Sequence, residues 1–573
     1  MTSTTAPGLA ASHCYVCEAG SIQDYLLASN RLRDIVGGSE LLEMIWQELR
    51  EAAVDACGQG HHIRFARKAG GAFYALSESA EALDAFQSLF SLAAAQFAPE
   101  LILQAGRGEG TTPSQAFKAA MRASAMNRNR PSPQVPVSGP YVQQDPRTGR
   151  AAVGVPRRGL DQSPMDAPTA RFIKVRENTV LARGGERAKT LTDKFAPHST
   201  ISRDAWPRKF EADDEHDDSV FPFEREPHYI GLIYADGSGM AKLTKQVQDQ
   251  IQPRESSDPD AFIKIFGAFS SAITDATERA AAAATAKVLL PAQSADGMLP
   301  ARPIVLGGDD LAIVVRADLA VSFALSFLAT FENESAAVLA QLAQEHQLTG
   351  LPQKLTAGAG IVFAKSSQPY HLLHVLAEDI CTDAKNIAKK AAQQQTAQQT
   401  STPDAVPSVI AWHRLSTSLH GDWDTIVKEE LTTPGANPIQ LTLAAYAVGG
   451  DSTLPSIEPL LALKNLLAPG ATSRSPMRSL LTALSRDPAT ARREYQRWRE
   501  VQGKAAPALV RQFDQHLNAL LPQGTETEAG IPCSRAGEAP DGALRYSPIG
   551  DVLALIAVGD TSNCTQPTEA TCA

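Results

Sequence analysis

The chain has 573 residues, a net charge of −10 at pH 7, 43% hydrophobic and 20% charged residues. That length accommodates two or three domains with sizeable cores, and the acidic balance argues against broad nonspecific nucleic-acid binding while leaving room for a local basic groove. Nothing approaches the roughly 20 apolar residues of a membrane span, the opening Met1–Pro7 has no signal-peptide pattern, and seven scattered cysteines fit reduced thiols, so a cytoplasmic protein without a membrane partner is expected.

In chain order, 10–126 offers a strand around His13–Glu18, a helix from Ser21 to about Ala56, and a hairpin Ile63–Leu76 turning at Gly70-Gly71. A helix at 80–97, a strand Glu100–Gln104 and a helix at 113–126 complete this region. Cys14-x-x-Cys17 has half the spacing of a zinc knuckle, but side chains three apart on a strand point to opposite faces, so the pair reads as two buried strand cysteines. The other cysteines supply no partner motif, and no zinc is expected; His61-His62, with no acidic partner beside it, reads as structural. Residues 127–225, rich in proline, arginine and glycine, read as an irregular insertion without zinc ligands, and its run Asp213–Asp218 as a solvated acidic loop.

The region 226–420 is the most legible. A strand Tyr229–Ala235 runs into Asp236 and the loop Gly237-Ser238-Gly239, followed by helical segments at 240–251 and 258–288. Two apolar runs, Ile304-Val305-Leu306 and Leu311–Val315, flank Gly307-Gly308-Asp309-Asp310, which reads as a tight hairpin in which glycine supplies positive φ. A helix near 319–346, a strand Leu355–Phe363 and a helix from Tyr370 to about Ala392 close the unit; Gln393–Gln399 reads as a flexible loop and Ser408–His413 as a further strand. The order β-α-α-β-β-α-β-α is that of a ferredoxin-like palm, and 10–126 repeats it tersely. Residues 421–573 read as a mostly helical C-terminal domain, with an apolar segment Ile549–Val558 before a polar tail expected to be disordered. The expected fold class is therefore α+β, two tandem ferredoxin-like palm domains with an inter-palm insertion and a helical C-terminal domain.

The chemistry concentrates at three acids. Adjacent carboxylates on a turn repel at neutral pH unless a divalent cation or a shared proton relieves them. Asp236, Asp309 and Asp310, at two strand ends, form the set a two-metal nucleotidyl-transfer site requires, with two Mg²⁺ or Mn²⁺ ions polarising an α-phosphate and activating a ribose hydroxyl. Gly237, Ser238 and Gly239 allow close backbone approach, with helix N-terminal N–H groups to cradle phosphates. Lys385, with Lys389 one turn on, reads either as a triphosphate ligand or as a solvated helix face. The first hairpin, Gly70-Gly71-Ala72-Phe73, has no acids at the corresponding turn and cannot hold catalytic metals in the same way.

These residues resemble the large palm-domain subunit of type III CRISPR effector complexes, which makes cyclic oligoadenylates. The resemblance rests on the GGDD turn at 307–310, on Leu355–Ala364 followed by Pro369-Tyr370, Leu376-Ala377-Glu378 and Ala384-Lys385, and on Ser408–His413. In the first region, Ser21–Tyr25, Arg31, Arg33-Asp34 and Gly38-Ser39-x-Leu41-Leu42 are similar to the family's N-terminal palm. The resemblance implies a nucleotidyltransferase using NTPs, ATP above all, to make cyclic or linear oligonucleotides in antiviral defence. It also implies Asp236 and Asp309 as metal ligands, Asp310 as a second ligand or tuning group, Gly307 and Gly308 as the surface the substrate approaches, and Lys385 on phosphate. Its partners would be RNA or effector-complex subunits, or a second copy of the chain. The family's histidine–aspartate nuclease domain has no room before residue 13, and its cysteine-ligated zinc site has no counterpart in 127–225, so neither is expected. The alternatives are a catalytically silent palm scaffold within a ribonucleoprotein and a GTP-using cyclase; Asp310-Leu311 in place of the acid-Phe ending weighs against the cyclase.

Overall fold

A computed structural model describes residues 12–559, apart from 59, 129–138, 140, 156–162, 178–188, 197–199, 211–218, 225, 399–405, 416–421, 435–437, 450–451, 468–474, 485–486, 522–531 and 535–544. The acidic run 213–218 lies outside the described residues. The fold is a mixed α+β arrangement built on two principal sheets.

The first sheet contains β1 (Ser12–Gly20), β2 (Arg64–Arg67), β3 (Ala72–Ser77) and β4 (Ile102–Gly110), in the spatial order β2-β3-β1-β4 and antiparallel throughout. Strand alternation sends Tyr15, Cys17, Phe73 and Ala75 to one face, under helices α1 (Leu32–Met44) and α2 (Ala80–Phe97). It sends Cys14, Val16, Tyr74 and Leu76 to the other, where Phe117 and Ala120 of α3 (Pro113–Arg128) pack. Cys14 and Cys17 are thus buried in two different cores, as their spacing on a strand requires. The helix expected from Ser21 to Ala56 is broken: Ile22–Leu27 ends before Asn30, whose φ of 55° is left-handed, and α1 begins at Leu32.

After the short helix α4 (Leu191–Phe195), the second sheet takes β5 (Tyr229–Gly237), β6 (Ala301–Gly307), β7 (Asp310–Arg316), β8 (Ala357–Lys365), β9 (Val409–Arg414) and β10 (Tyr446–Ala447). The order is β10-β9-β8-β5-β7-β6, so β6 is an edge strand and β5 lies inside, antiparallel to both β7 and β8. Ile233, Ala235, Ile313 and Ile361 face helices α5 (Met240–Ile251), α6 (Gly267–Ala284) and α7 (Ala317–His346). Leu232, Tyr234, Val314 and Val362 face α8 (Tyr370–Gln398). The glutamine tract expected as a loop instead continues α8 to Gln398, because alanine and glutamine are good helix formers. The described residues after 421 are mostly helical, yet Tyr446–Ala447 joins the second sheet beside β9, and Ile549–Val558 is a helix whose Ile549, Val552 and Leu555 enter the same core. Among the described residues, no helix is long and apolar enough to cross a membrane.

Candidate active site

The three acids converge at one end of the second sheet. Asp236 is the penultimate residue of β5, Asp309 stands in the β6–β7 turn, and Asp310 opens β7, which lies beside β5 with Ala235 opposite Leu311. One carboxylate oxygen from each lies within 4.8 Å of the others, and all three side chains are half-buried.

The turn itself shows why its glycines are there. Gly307 pairs with Asp310, which leaves Gly308 and Asp309 as a two-residue loop. Gly308 has φ 65°, whereas Asp309 is not among the left-handed residues, the pattern of a type II′ turn. Gly307 needs no unusual φ; it needs space. A Cβ there would stand 2.8 Å from Gly70 Cα, because the acid-free turn of the first sheet packs directly on the acidic one.

Lys385 reaches the triad from α8. Its Nζ forms an ion pair with the Asp236 carboxylate and lies 3.4 Å from the Gly237 carbonyl oxygen. Gly358, opposite Asp236 in the β5–β8 register, permits this: a Cβ there would stand 2.5 Å from Lys385 Cγ. Of the two readings of the lysine pair, Lys385 is therefore turned to the acids, while Lys389 is exposed.

Electrostatics carry the imprint of three acids in one place. Burial, then the charge of Asp236, pushes the Asp309 carboxyl up to about 6, against the opposing pull of Arg67 and Lys385. Burial, then Asp309 and Asp236, holds Asp310 well above the usual carboxylate range. Burial works against a charged Lys385, but its bond to Asp236 outweighs that and raises it. The site gathers three carboxyls against two cations, Lys385 and Arg67. Three convergent carboxylates are a hard-oxygen donor set that fits Mg²⁺ or Mn²⁺.

The loop after β5 is placed as follows. Gly237 ends the strand, and a Cβ on it would stand 2.6 Å from Asp309 Oδ2. The Ser238 N–H donates to the Thr356 carbonyl at 2.8 Å and is not open to a phosphate, although its hydroxyl is buried without a partner. Gly239, at φ 77°, precedes α5 with no side-chain cap, and the N-terminal turn of α5 faces a cavity through Met240, Ala241 and Thr244.

That cavity, about 470 Å³, opens beside Gly308 and Asp309 and is walled by both halves of the fold. The first sheet and α3 supply Arg67, Tyr74, Phe117, Lys118 and Arg122, and the second half supplies Phe266, Phe269 and Thr274. Arg67 donates to the Tyr74 hydroxyl at 3.0 Å, which in turn donates to Glu18 at 3.0 Å. Neither Arg67 nor Gly358 was legible as a site residue in the sequence. The signal for Arg67 is its position three residues before the Gly70-Gly71 turn; that for Gly358 is the small-residue run Ala357-Gly358-Ala359-Gly360 in an otherwise apolar strand.

No protein-family model and no curated protein matches the chain. Among solved structures, it is similar to a chain of the Csm1-Csm4 cassette in complex with AMPPNP, at 11% identity and TM-score 0.45, covering 96% of this chain and 70% of that one. It is also similar to a chain of the Csm1-Csm4 cassette in complex with cA4, at 11% identity and TM-score 0.38, covering 66% of this chain. A third is the Csm1-Csm4 subcomplex of the type III-A CRISPR-Csm interference complex, at 12% identity and TM-score 0.35, covering 67% of this chain and 55% of that one. The chain spans about half the length, 53%, of the cA4-bound chain it matches.

Proposed function

We propose that this chain is a palm-type nucleotidyltransferase that joins NTPs, ATP above all, into cyclic or linear oligonucleotides. The observation that carries the reading is the meeting of Asp236, Asp309 and Asp310, with carboxylate oxygens within 4.8 Å, where Asp309 lines a cavity of nucleotide size. The first sheet, and the first four strands of the six-stranded second sheet, share the connectivity order fourth-first-third-second, which supports reading 10–126 and 226–420 as two ferredoxin-like palms, the first without acids at its turn. On this reading 127–225 is an inter-palm insertion and 421–573 a helical C-terminal domain. Bound Mg²⁺ or Mn²⁺, two per site, would supply charge stabilisation at the transferred phosphate and lower the pKa of the attacking hydroxyl.

The chain's own residues do the rest. Asp236 and Asp309 would hold the cations, and Asp310 would be a further ligand or tune Asp309. Lys385, now bonded to Asp236, would be free to bind phosphate once cations neutralise the acids. Phe117, Phe266 and Phe269 line the cavity as apolar surface for a base, and Arg67, Lys118 and Arg122 bring positive charge to the same cavity. ATP is assigned over other NTPs by the resemblance of the acidic turn and its flanks to the oligoadenylate-making family. On the same resemblance the protein would act in antiviral defence, with RNA or effector subunits as partners.

A second reading, a catalytically silent scaffold, is favoured by one observation: Lys385 already neutralises Asp236 without a metal. Incubation of the purified chain with each NTP and Mg²⁺ or Mn²⁺, alone and with RNA, separates the two. Chromatography and mass spectrometry would detect the products, with Asp309→Ala/Asp310→Ala as control. Oligonucleotides lost in the variant support the transferase and identify its base; none under any condition supports the scaffold.

A further inference from the structure

The acidic turn hangs from β6, an edge strand, and the open side of an edge strand exposes every second carbonyl to water or to another chain. Here two outward carbonyls of β6 and the carbonyl of the turn that follows are each taken by a side chain from a different part of the molecule. Ser39 of α1 donates its hydroxyl to the Ile304 carbonyl at 2.8 Å. Lys194 of α4, itself paired with Glu43 at 2.7 Å, donates to the Leu306 carbonyl at 3.3 Å. Thr277 of α6 donates to the Gly308 carbonyl at 2.7 Å; it also lies 3.0 Å from the Ile273 carbonyl, but a hydroxyl has a single proton and the Gly308 contact is the shorter. Ser39 and Thr277 are buried, and the Lys194 side chain is 12% exposed.

The last of these bonds falls on the peptide that matters most. The Gly308 carbonyl belongs to the central peptide of the two-residue turn. Flipping that peptide converts a type II′ turn into type I′ and carries the following residue from negative to positive φ. Glycine at 308 permits both forms, and aspartate is among the residues that tolerate positive φ. Because positive φ costs aspartate only modestly, the backbone of the turn fixes the presentation of Asp309 weakly, and a donor on the Gly308 carbonyl strengthens it.

We propose that Ser39, Lys194 and Thr277 are positioning residues that clamp the open edge of β6 and fix the presentation of Asp309. The first-sheet unit and the segment between the sheets thereby set the cation affinity of the acidic turn. This rests on reading Asp236, Asp309 and Asp310 as cation ligands. It gives α4 a task that its sequence does not announce. It also makes the site responsive to whatever shifts the first unit against the second, because two of the three donors move with elements outside the second sheet and its helices.

The test is a Mn²⁺ titration of the full chain, with free Mn²⁺ read by electron paramagnetic resonance and melting temperature measured in parallel. Thr277→Val keeps the shape and removes the donor, and is expected to weaken Mn²⁺ binding about five-fold, the size of one net hydrogen bond. Thr277→Ser, which keeps the hydroxyl, is expected to bind within about two-fold of wild type. Lys194→Met is expected to weaken binding in the same direction, with a lowered melting temperature because Glu43 loses its partner. Wild-type affinity in Thr277→Val, or equal losses in the Ser and Val variants, overturns the clamp and leaves the cation site standing. If Thr277→Val does not fold, Lys194→Met decides, and unchanged affinity there overturns the clamp. Absence of Mn²⁺ binding in the wild type overturns both the clamp and the metal reading beneath it.

Discussion

A cluster of three acids assembled for a cation should be a liability without it, and Asp309 gives that liability a magnitude. In the metal-free fold its carboxyl is raised from 3.8 to about 6, by burial first and by Asp236 second. A carboxyl that binds its proton more tightly when folded opposes folding once it ionises; the cost is absent below the unfolded value and complete above the folded one. At about 1.4 kcal/mol per pH unit the shift amounts to about 3 kcal/mol, and the partial solvent access of the side chain brings the expected cost to about 1–3 kcal/mol. Asp309→Asn keeps the shape and removes the charge. In EDTA at pH 7.5 the variant should therefore be more stable than wild type by about 1–3 kcal/mol, with the difference closing as the pH falls from 6 towards 4. Urea denaturation of both proteins across that range measures it. Adding Mn²⁺ should stabilise the wild type and leave the variant nearly unmoved. A variant less stable than wild type at pH 7.5 in EDTA, or a difference that does not change with pH, would refute the electrostatic account.

Lys385→Met removes the cation bonded to Asp236 and should destabilise the metal-free protein by about 1–3 kcal/mol, with Mn²⁺ restoring more stability than it gives the wild type; thermal melts with and without Mn²⁺ check this. Gly358→Ala places a Cβ 2.5 Å from Lys385 Cγ and should reproduce the Lys385→Met melting behaviour although it touches no charge; a variant with wild-type Mn²⁺ response would refute the steric role. Gly307→Ala sets a Cβ 2.8 Å from Gly70 Cα, backbone against side chain with no flexible atom to yield, and should cost about 1–3 kcal/mol in urea denaturation with nucleotide product lost alongside.

How much of this was legible in the sequence depends on the range of the interaction that fixes each element. The acidic hairpin, the strand leading to Asp236 and the helix carrying Lys385 were readable because apolar periodicity and a glycine pair are local signals. The strand β4 was placed too early and too short, at Glu100–Gln104, because Gly106, Gly108 and Gly110 look like breakers. In the fold they let α3 lie directly on the strand: a Cβ on Gly106 would stand 2.2 Å from the Ala120 carbonyl oxygen. The same misreading applies to Gly307, taken from the sequence as a source of positive φ when its requirement is contact with Gly70. Lys194 and Thr277 carried no signal, and Ser39, read only within Gly38-Ser39-x-Leu41-Leu42, none for this contact, because each meets β6 or its turn across a sequence separation that no periodicity encodes.

The packing of the two turns also bears on why a sheet without acids at its turn sits against the site. Gly70 fills the space beside Gly307 and Gly308, where a longer or charged turn would collide with the acidic one. Arg67, at the end of β2, brings a positive charge that lowers Asp309 against its burial, and is itself held by Tyr74, which is bonded to Glu18 on β1. The side of the acidic turn away from Lys385 is thus neutralised from the first sheet, through a chain of bonds anchored on three of its strands. A first unit that only filled space would not require an arginine there. Arg67→Met should accordingly raise the pH at which Asp309 ionises, visible as an upward shift in the pH dependence of Mn²⁺ affinity, with the fold intact; an unchanged profile would reduce the first sheet to packing alone.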